Sequence, residues 1–245
     1  MSKYDFEIGA KVALIGSTGG IGSAVLEELK GDENIATIYA FARSDQDIDD
    51  DKIVTGQIDI TDESSIKEAA GQIDGKLDMV FIATGILHGQ GLEPEKAIKD
   101  LEINSLDTSY RINAIGPALV GKHFLPLMRD DRKSVFAALS ARVGSISDNN
   151  TIGGWYAYRM AKAALNMALK NFAIEIGRKN KKLVVTGLQP GTVDTPLSEP
   201  FQQYVKDDKL FTPEFSARHL LQTLNTLTAK DSGKLYDWNG EEFAP

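Results

Sequence analysis

Cysteine is absent from this chain, which removes disulfides, thiolate metal sites and cysteine nucleophiles together. That absence fits a reducing compartment, and a cytoplasmic protein is expected. Histidine is nearly as scarce: His88, His123 and His219 stand far apart with no ligand spacing, so no metal site is expected. Positive charge is in deficit, the formal net charge being −8, which argues against a nucleic-acid or anionic-membrane partner. No apolar run approaches the ~18 residues of a membrane span, and the opening MSKYDFEIG carries no signal-peptide pattern. Repeats, linkers and low-complexity stretches are also missing, so one domain over 1–245 is expected. The acidic run from Asp45 to Asp51 reads as a solvated loop, and the cluster Arg178, Lys179, Lys181 and Lys182 as a solvated helix end.

What the chain does have is a strict alternation of apolar strand and amphipathic helix. Periodicity predicts strands over 11–15, 35–42, 52–60, 77–83, 134–139, 183–188 and 234–238, and helices over 20–30, 64–73, 105–129, 155–178 and 213–227. Thr61 or Asp62 should cap the second helix, and Pro117 and Pro126 should kink or divide the third. Strands that are apolar throughout, bounded by helices, indicate a parallel sheet covered on both faces. With right-handed crossovers the result is an α/β, doubly wound fold.

The first strand runs into Gly16-Ser17-Thr18-Gly19-Gly20-Ile21-Gly22 and then the first helix. Glycines let backbone approach a pyrophosphate there, and the helix N-terminus aims free N–H groups and its positive dipole end at that charge. After the second strand an acid would hold a ribose 2′-hydroxyl, whereas a cation would accept a 2′-phosphate. Arg43 and Ser44 occupy that corner, so NADP(H) is favoured; Asp45 follows at once, and NAD(H) stays possible. Asp59 and Ile60 close the third strand, where Asp59 is placed to meet the adenine amine. Ala83-Thr84-Gly85 closes the fourth, where small residues admit the cofactor ribose close to the backbone.

Tyr158 and Lys162 lie four apart in the predicted helix 155–178, so a phenol and an ammonium share one face. A neighbouring cation favours the phenolate, which would let Tyr158 exchange a proton with a substrate oxygen near neutral pH. Chance supplies such a pair often, so context must carry it.

The glycine turn at 16–22, Ala83-Thr84-Gly85, Asn113, a serine near the end of the fifth strand, Tyr158-x-x-x-Lys162 and Pro190-Gly191-Thr192 stand in the order seen in short-chain dehydrogenases/reductases. The chain resembles that family from about residue 11 to residue 240, and 140–166 is similar to its C-factor-like and sniffer-like carbonyl reductase branch. The resemblance implies a Rossmann fold and hydride transfer between nicotinamide and a carbonyl or alcohol. It implies that Tyr158 is the general acid/base, that Lys162 lowers the Tyr158 pKa and bonds the nicotinamide ribose, and that Asn113 holds a relay water. Pro190, Gly191, Thr192, Val193 and Thr195 would lie against the nicotinamide, and a homodimer or homotetramer is implied.

The family's usual serine column holds Ala141 here, which leaves Ser140, the favoured candidate, or Ser145 to orient the substrate. Residues 86–92, 145–155 and a lid over 197–210 should bound the pocket, with Phe201 and Tyr204 closing on an apolar group. No basic cluster marks a phosphate or carboxylate substrate, so a neutral small-molecule carbonyl compound is expected. Two other readings differ in class: a nucleotide-binding regulatory protein with little turnover, and a structural interaction protein that binds no nucleotide.

Overall fold

Every strand that the apolar runs predict joins one sheet in the computed structural model, which describes residues 3–89, 91–149 and 153–245, the Tyr204 and Asp207 side chains excepted. In chain order the elements are β1 (Ala10–Ile15), α1 (Gly20–Lys30), β2 (Ile35–Ala42), β3 (Ile53–Gln57), α2 (Glu63–Gly71), β4 (Met79–Ile82), α3 (Ile103–Tyr110) and α4 (Gly116–Phe124). They continue with β5 (Ser134–Leu139), α5 (Tyr156–Ile176), β6 (Leu183–Gln189), β7 (Thr192–Val193), β8 (Leu210–Phe211), α6 (Pro213–Thr226), β9 (Lys234–Asp237) and β10 (Glu242–Phe243). The sheet order is β10-β9-β6-β5-β4-β1-β2-β3, parallel except for β10. It is the expected doubly wound α/β arrangement. Strand order reverses between β1 and β4, and a crevice forms there beyond the strands' C-terminal ends.

Alternate strand residues feed two cores. Val12, Leu14, Ile38, Met79, Phe81, Val135 and Val184 face α1 and α6, while Ala13, Ile15, Phe41, Val80, Phe136 and Val185 face α2, α4 and α5. Phe41, Phe81, Phe124 and Phe136 are fully buried, and each such side chain stabilises the fold by roughly 1.5–3 kcal/mol over leaving it in water. Among the described residues no helix is long and apolar enough to cross a membrane.

Several boundaries shift by a residue or more from the periodicity, and three of the departures bear on the site. β3 stops at Gln57 instead of reaching 60, because Asp59 starts a turn: its Oδ1 accepts from Thr61 N and Oγ1, and its own N–H donates to Ser65 Oγ. The predicted helix 105–129 starts at Ile103 and is broken by a π turn at Arg111–Ile115, after which Pro117 sits in the first turn of α4, where its missing N–H costs nothing. α5 begins at Tyr156 because Trp155 adopts a left-handed conformation, φ 50°. Asp62, one of the two cap candidates, caps α2 by accepting from Ser64 N.

Candidate functional site

The turn after β1 is closed on itself and against the end of β4. Gly16 has φ +90°, and a Cβ on Gly22 would lie 1.9 Å from Gly16 O, so the first turn of α1 packs directly on the loop backbone. The Gly16 and Ser17 N–H groups both donate to Phe41 O, tying the turn to β2. Thr18 is exposed at the rim, and Ile21 packs on the α1 core. Ser17 is buried, and its hydroxyl lies 2.6 Å from Gln46 Oε1. Thr195 crosses from the far side: a Cβ on Gly20 would lie 2.5 Å from Thr195 Cγ2.

These residues fit a dinucleotide. The glycines leave a cradle that any side chain would fill, beside the open N-terminus of α1, where no side chain caps the N–H groups. Ala83 and Thr84 lie against Gly16, and the buried Thr84 Oγ1 has no hydrogen-bond partner among the described residues. A buried hydroxyl left unsatisfied is costly, so a ligand at this spot would satisfy it. Arg43 and Ser44 are exposed at the end of β2, Arg43 makes no ion pair with any described residue, and Asp45 is turned to Gln57, whose Nε2 donates to it at 2.7 Å. Asp59 is exposed in the turn after β3 with its Oδ1 committed to Thr61, whereas Ile60 is buried against Gly116.

Residues from three separate stretches of the sequence meet at the crevice: Gly85, Asn113, and the pair Tyr158 and Lys162. A Cβ placed on Gly85 would lie 3.3 Å from Asn113 Oδ1 and 3.8 Å from Lys162 Nζ. Asn113 is fully buried inside the π turn: its Oδ1 accepts from Ile86 N, and its Nδ2 donates to Ile86 O and Ser109 Oγ. The widened turn thus places a polar side chain where a regular helix would present only its ladder. Lys162, buried in α5, donates to Leu139 O at 2.7 Å and lies 5.6 Å from the centre of the Tyr158 ring. Tyr158 is half-buried, and its hydroxyl makes no hydrogen bond with any described residue. Burial pulls the Lys162 ammonium down to about 7 and pushes the Tyr158 phenol up. Desolvation therefore outweighs the expected stabilisation of phenolate by the cation, and both groups are shifted toward their neutral forms.

The two serines are placed differently. Ser140 follows β5 directly and is buried, with its hydroxyl donating to Asn166 Oδ1 at 2.5 Å. Ser145 is also buried, but its Oγ accepts from Asp148 N, which leaves its own hydrogen uncommitted among the described residues. After β6, Pro190 O accepts from Ser216 Oγ, Gly191 turns at φ +79° against Phe211 and Trp238, and Thr192–Val193 pairs with Leu210–Phe211. That short ladder closes the base of the segment 194–209. Within it a 3-10 turn at Glu199–Tyr204 carries Phe201, whose ring lies 4.9 Å from Trp155 and 5.8 Å from His88. His88 Nε2 is 2.8 Å from Pro196 O, and Leu197 Cδ1 comes within 3.8 Å of the Gly85 Cβ position. The Tyr204 side chain lies outside the described residues.

Sequence reasoning missed Gln46, Asn166 and Glu95. Gln46 and Asn166 carry no local pattern, since what they bond is distant in the chain. Glu95 had one readable signal, an acidic residue in an otherwise unassigned stretch between Pro94 and Lys96, but only the fold shows it to be buried.

Comparison with known proteins bears on the family and the fold. The family pattern described as short chain dehydrogenase matches residues 10–206. The chain is similar to the C-signal protein of Myxococcus xanthus, 34% identical over 146 residues that make up 60% of this chain and 82% of that one. It is also similar to the 1-hydroxy-2-glutathionyl-2-methyl-3-butene dehydrogenase of a Rhodococcus species, 28% identical over 94% of this chain and 96% of the relative. Among solved structures, the NADPH-bound carbonyl reductase from chicken fatty liver superposes with a TM-score of 0.85 at 22% identity, covering 99% of this chain and 96% of the other. Carbonyl reductase Sniffer of D. melanogaster gives 0.84 at 20% identity, covering 98% and 100%. These likenesses agree on the fold.

Proposed function

The chain belongs to the short chain dehydrogenase family and is an NAD(P)-dependent oxidoreductase, and we propose that it reduces a neutral, apolar carbonyl compound with NADPH, Tyr158 giving the proton to the carbonyl oxygen. The observation that carries this reading is the convergence of Tyr158, Lys162 and Asn113 beside the glycine turn, at the open end of the parallel sheet. When bound, the nicotinamide supplies the hydride. Tyr158 is free to act, because its hydroxyl has no described partner to give up first. Its burial makes it a poor anion on its own, so the charge left by proton transfer needs Lys162 beside it. Lys162, held at about 7, changes protonation state in the working range and can return that proton. Asn113 Oδ1 keeps a second lone pair beyond the Ile86 N–H, enough to hold a relay water near Lys162. Ser145, with its hydrogen uncommitted, suits the substrate-orienting role better than Ser140, which gives its hydrogen to Asn166.

Arg43 would take the 2′-phosphate of NADPH, Thr84 Oγ1 a cofactor hydroxyl, and the turn from Pro190 to Thr195 the nicotinamide edge. The substrate assignment rests on the walls: Trp155, Phe201 and His88 meet as an aromatic group, and the segment 197–210 serves as the lid that carries Phe201. A homodimer or homotetramer is proposed from Met160, Met167 and Ile174, which repeat every seven residues along α5 and stand 45%, 63% and 51% exposed. A regulatory protein with little turnover would have no use for an acid, its cation and a relay held together, and this favours the enzyme. Tyr158→Phe tests the reading: turnover should fall by roughly 100-fold or more while NADPH affinity stays within twofold. A variant with the parent's rate would remove Tyr158 as the acid.

A further inference from the structure

Trp155 is the one non-glycine residue with a left-handed backbone among the described residues, at φ 50° and ψ 41°. An aromatic residue resists that conformation, and here it sits at the N-cap of α5 with no side-chain cap of its own. Something outside the helix must therefore hold the turn. Glu95, in the loop between β4 and α3, does so through both of its carbonyl-type groups. Its backbone carbonyl accepts from Trp155 N at 2.6 Å, and its carboxylate Oε2 accepts from Ala157 N at 3.2 Å, in the first turn of α5. Gly154 fits the same lock: its φ is +81°, and a Cβ there would lie 3.0 Å from Glu95 O. Arg159 Nε closes the turn from the helix side by donating to Gly154 O at 2.9 Å.

The carboxylate itself is expensive. Glu95 is 3% exposed, and its Oε1 has no hydrogen-bond partner among the described residues. A buried carboxylate with one oxygen unsatisfied is a net cost that an exposed serine or aspartate cap would avoid. What the buried position adds is placement: Ala157 immediately precedes Tyr158, and Trp155 carries the ring that meets Phe201 of the lid.

We propose that Glu95 is a positioning residue, whose carboxylate and carbonyl fix the start of α5 so that Tyr158 is presented to the substrate and Trp155 to the lid. The inference rests on the reading of Tyr158 as the proton donor. Glu95 touches neither substrate nor cofactor in this account; it acts through Ala157 and Trp155.

Three variants test it. Glu95→Leu keeps apolar volume but loses the acceptor, Glu95→Gln keeps an acceptor at the same place, and Gly154→Ala attacks the turn without touching Glu95. The expected result is a fall in kcat of roughly tenfold or more for Glu95→Leu and Gly154→Ala, with the NADPH dissociation constant within twofold of the parent and Glu95→Gln restored to within about threefold. Amide hydrogen exchange at Ala157, whose acceptor is the Glu95 carboxylate, should quicken in Glu95→Leu and return toward the parent rate in Glu95→Gln. A folded Glu95→Leu with parental kcat, or exchange at Ala157 unchanged, overturns the proposal. Should Glu95→Leu fail to fold, Gly154→Ala decides by the same criteria. A parent protein that turns over no carbonyl compound is a failure of the function assigned above, and the exchange measurement still decides the lock.

Discussion

Burial sets the charge of the two groups at the centre of the site. Lys162 has its folded pKa lowered from 10.5 to about 7 by desolvation alone. Below pH ~7 the lysine is protonated in both folded and unfolded chains, and folding bears the full cost of burying the cation. Between about 7 and 10.5 the unfolded chain holds a proton that the folded chain has released, so stability rises with pH across that window, by at most about 5 kcal/mol. Tyr158 acts in the opposite sense and at higher pH, because its raised pKa favours the folded state until the unfolded phenol ionises near 10. In urea titrations without nucleotide, the parent should therefore gain stability on Lys162→Met as pH rises from 7 toward 10; a difference that stays flat would contradict the desolvated lysine. At the other end of the crevice, Arg43→Ala should weaken NADPH by roughly tenfold and leave NADH nearly unchanged, since a charge-assisted contact to the 2′-phosphate is lost only in the first case. Equal effects on both nucleotides, read by titration, would remove Arg43 from that contact.

At the scale of elements, what the sequence made legible is what local physics controls. β2, β5 and α1 have the bounds that periodicity predicts, because each is a run whose apolar spacing ends in a glycine or polar boundary. The glycine turn and the Tyr158–Lys162 face were legible for the same reason. The π turn was legible only as an interruption near Pro117: the widened geometry depends on Ile86, which bonds the Asn113 side chain from a loop distant in the sequence. β10, the ladder between β7 and β8, and the Glu95 loop were not legible at all, since two-residue strands and buried loop carboxylates have no periodicity to read. The lid shares that limit. Its stretch 197–210 was visible in sequence, with Pro196 and Pro200 about its start, yet its aromatic contact to Trp155 depends on the tertiary fold. An aromatic pair contributes about 1 kcal/mol, so Phe201→Ala should raise KM for an apolar carbonyl roughly fivefold while NADPH affinity stays unchanged. Loss of NADPH affinity with KM intact would place Phe201 on the nucleotide instead of the substrate.

At the scale of the whole molecule, one sheet brings residues from 16 to 195 to a single crevice, and the order of strands decides where that crevice lies. The outer face of α5 is the part that this sheet does not use. With Met160, Met167 and Ile174 exposed along it, Met167→Glu should lower the mass seen by light scattering toward one chain; a parent protein that already runs as a single chain would contradict the oligomer. Turnover in that crevice is read from consumption of NADPH by the parent protein against a panel of neutral carbonyl compounds, repeated with NADH. NADPH oxidation that depends on an apolar carbonyl and runs more slowly with NADH is the expected result. Nucleotide that binds, yet is consumed with no compound in the panel, would contradict it.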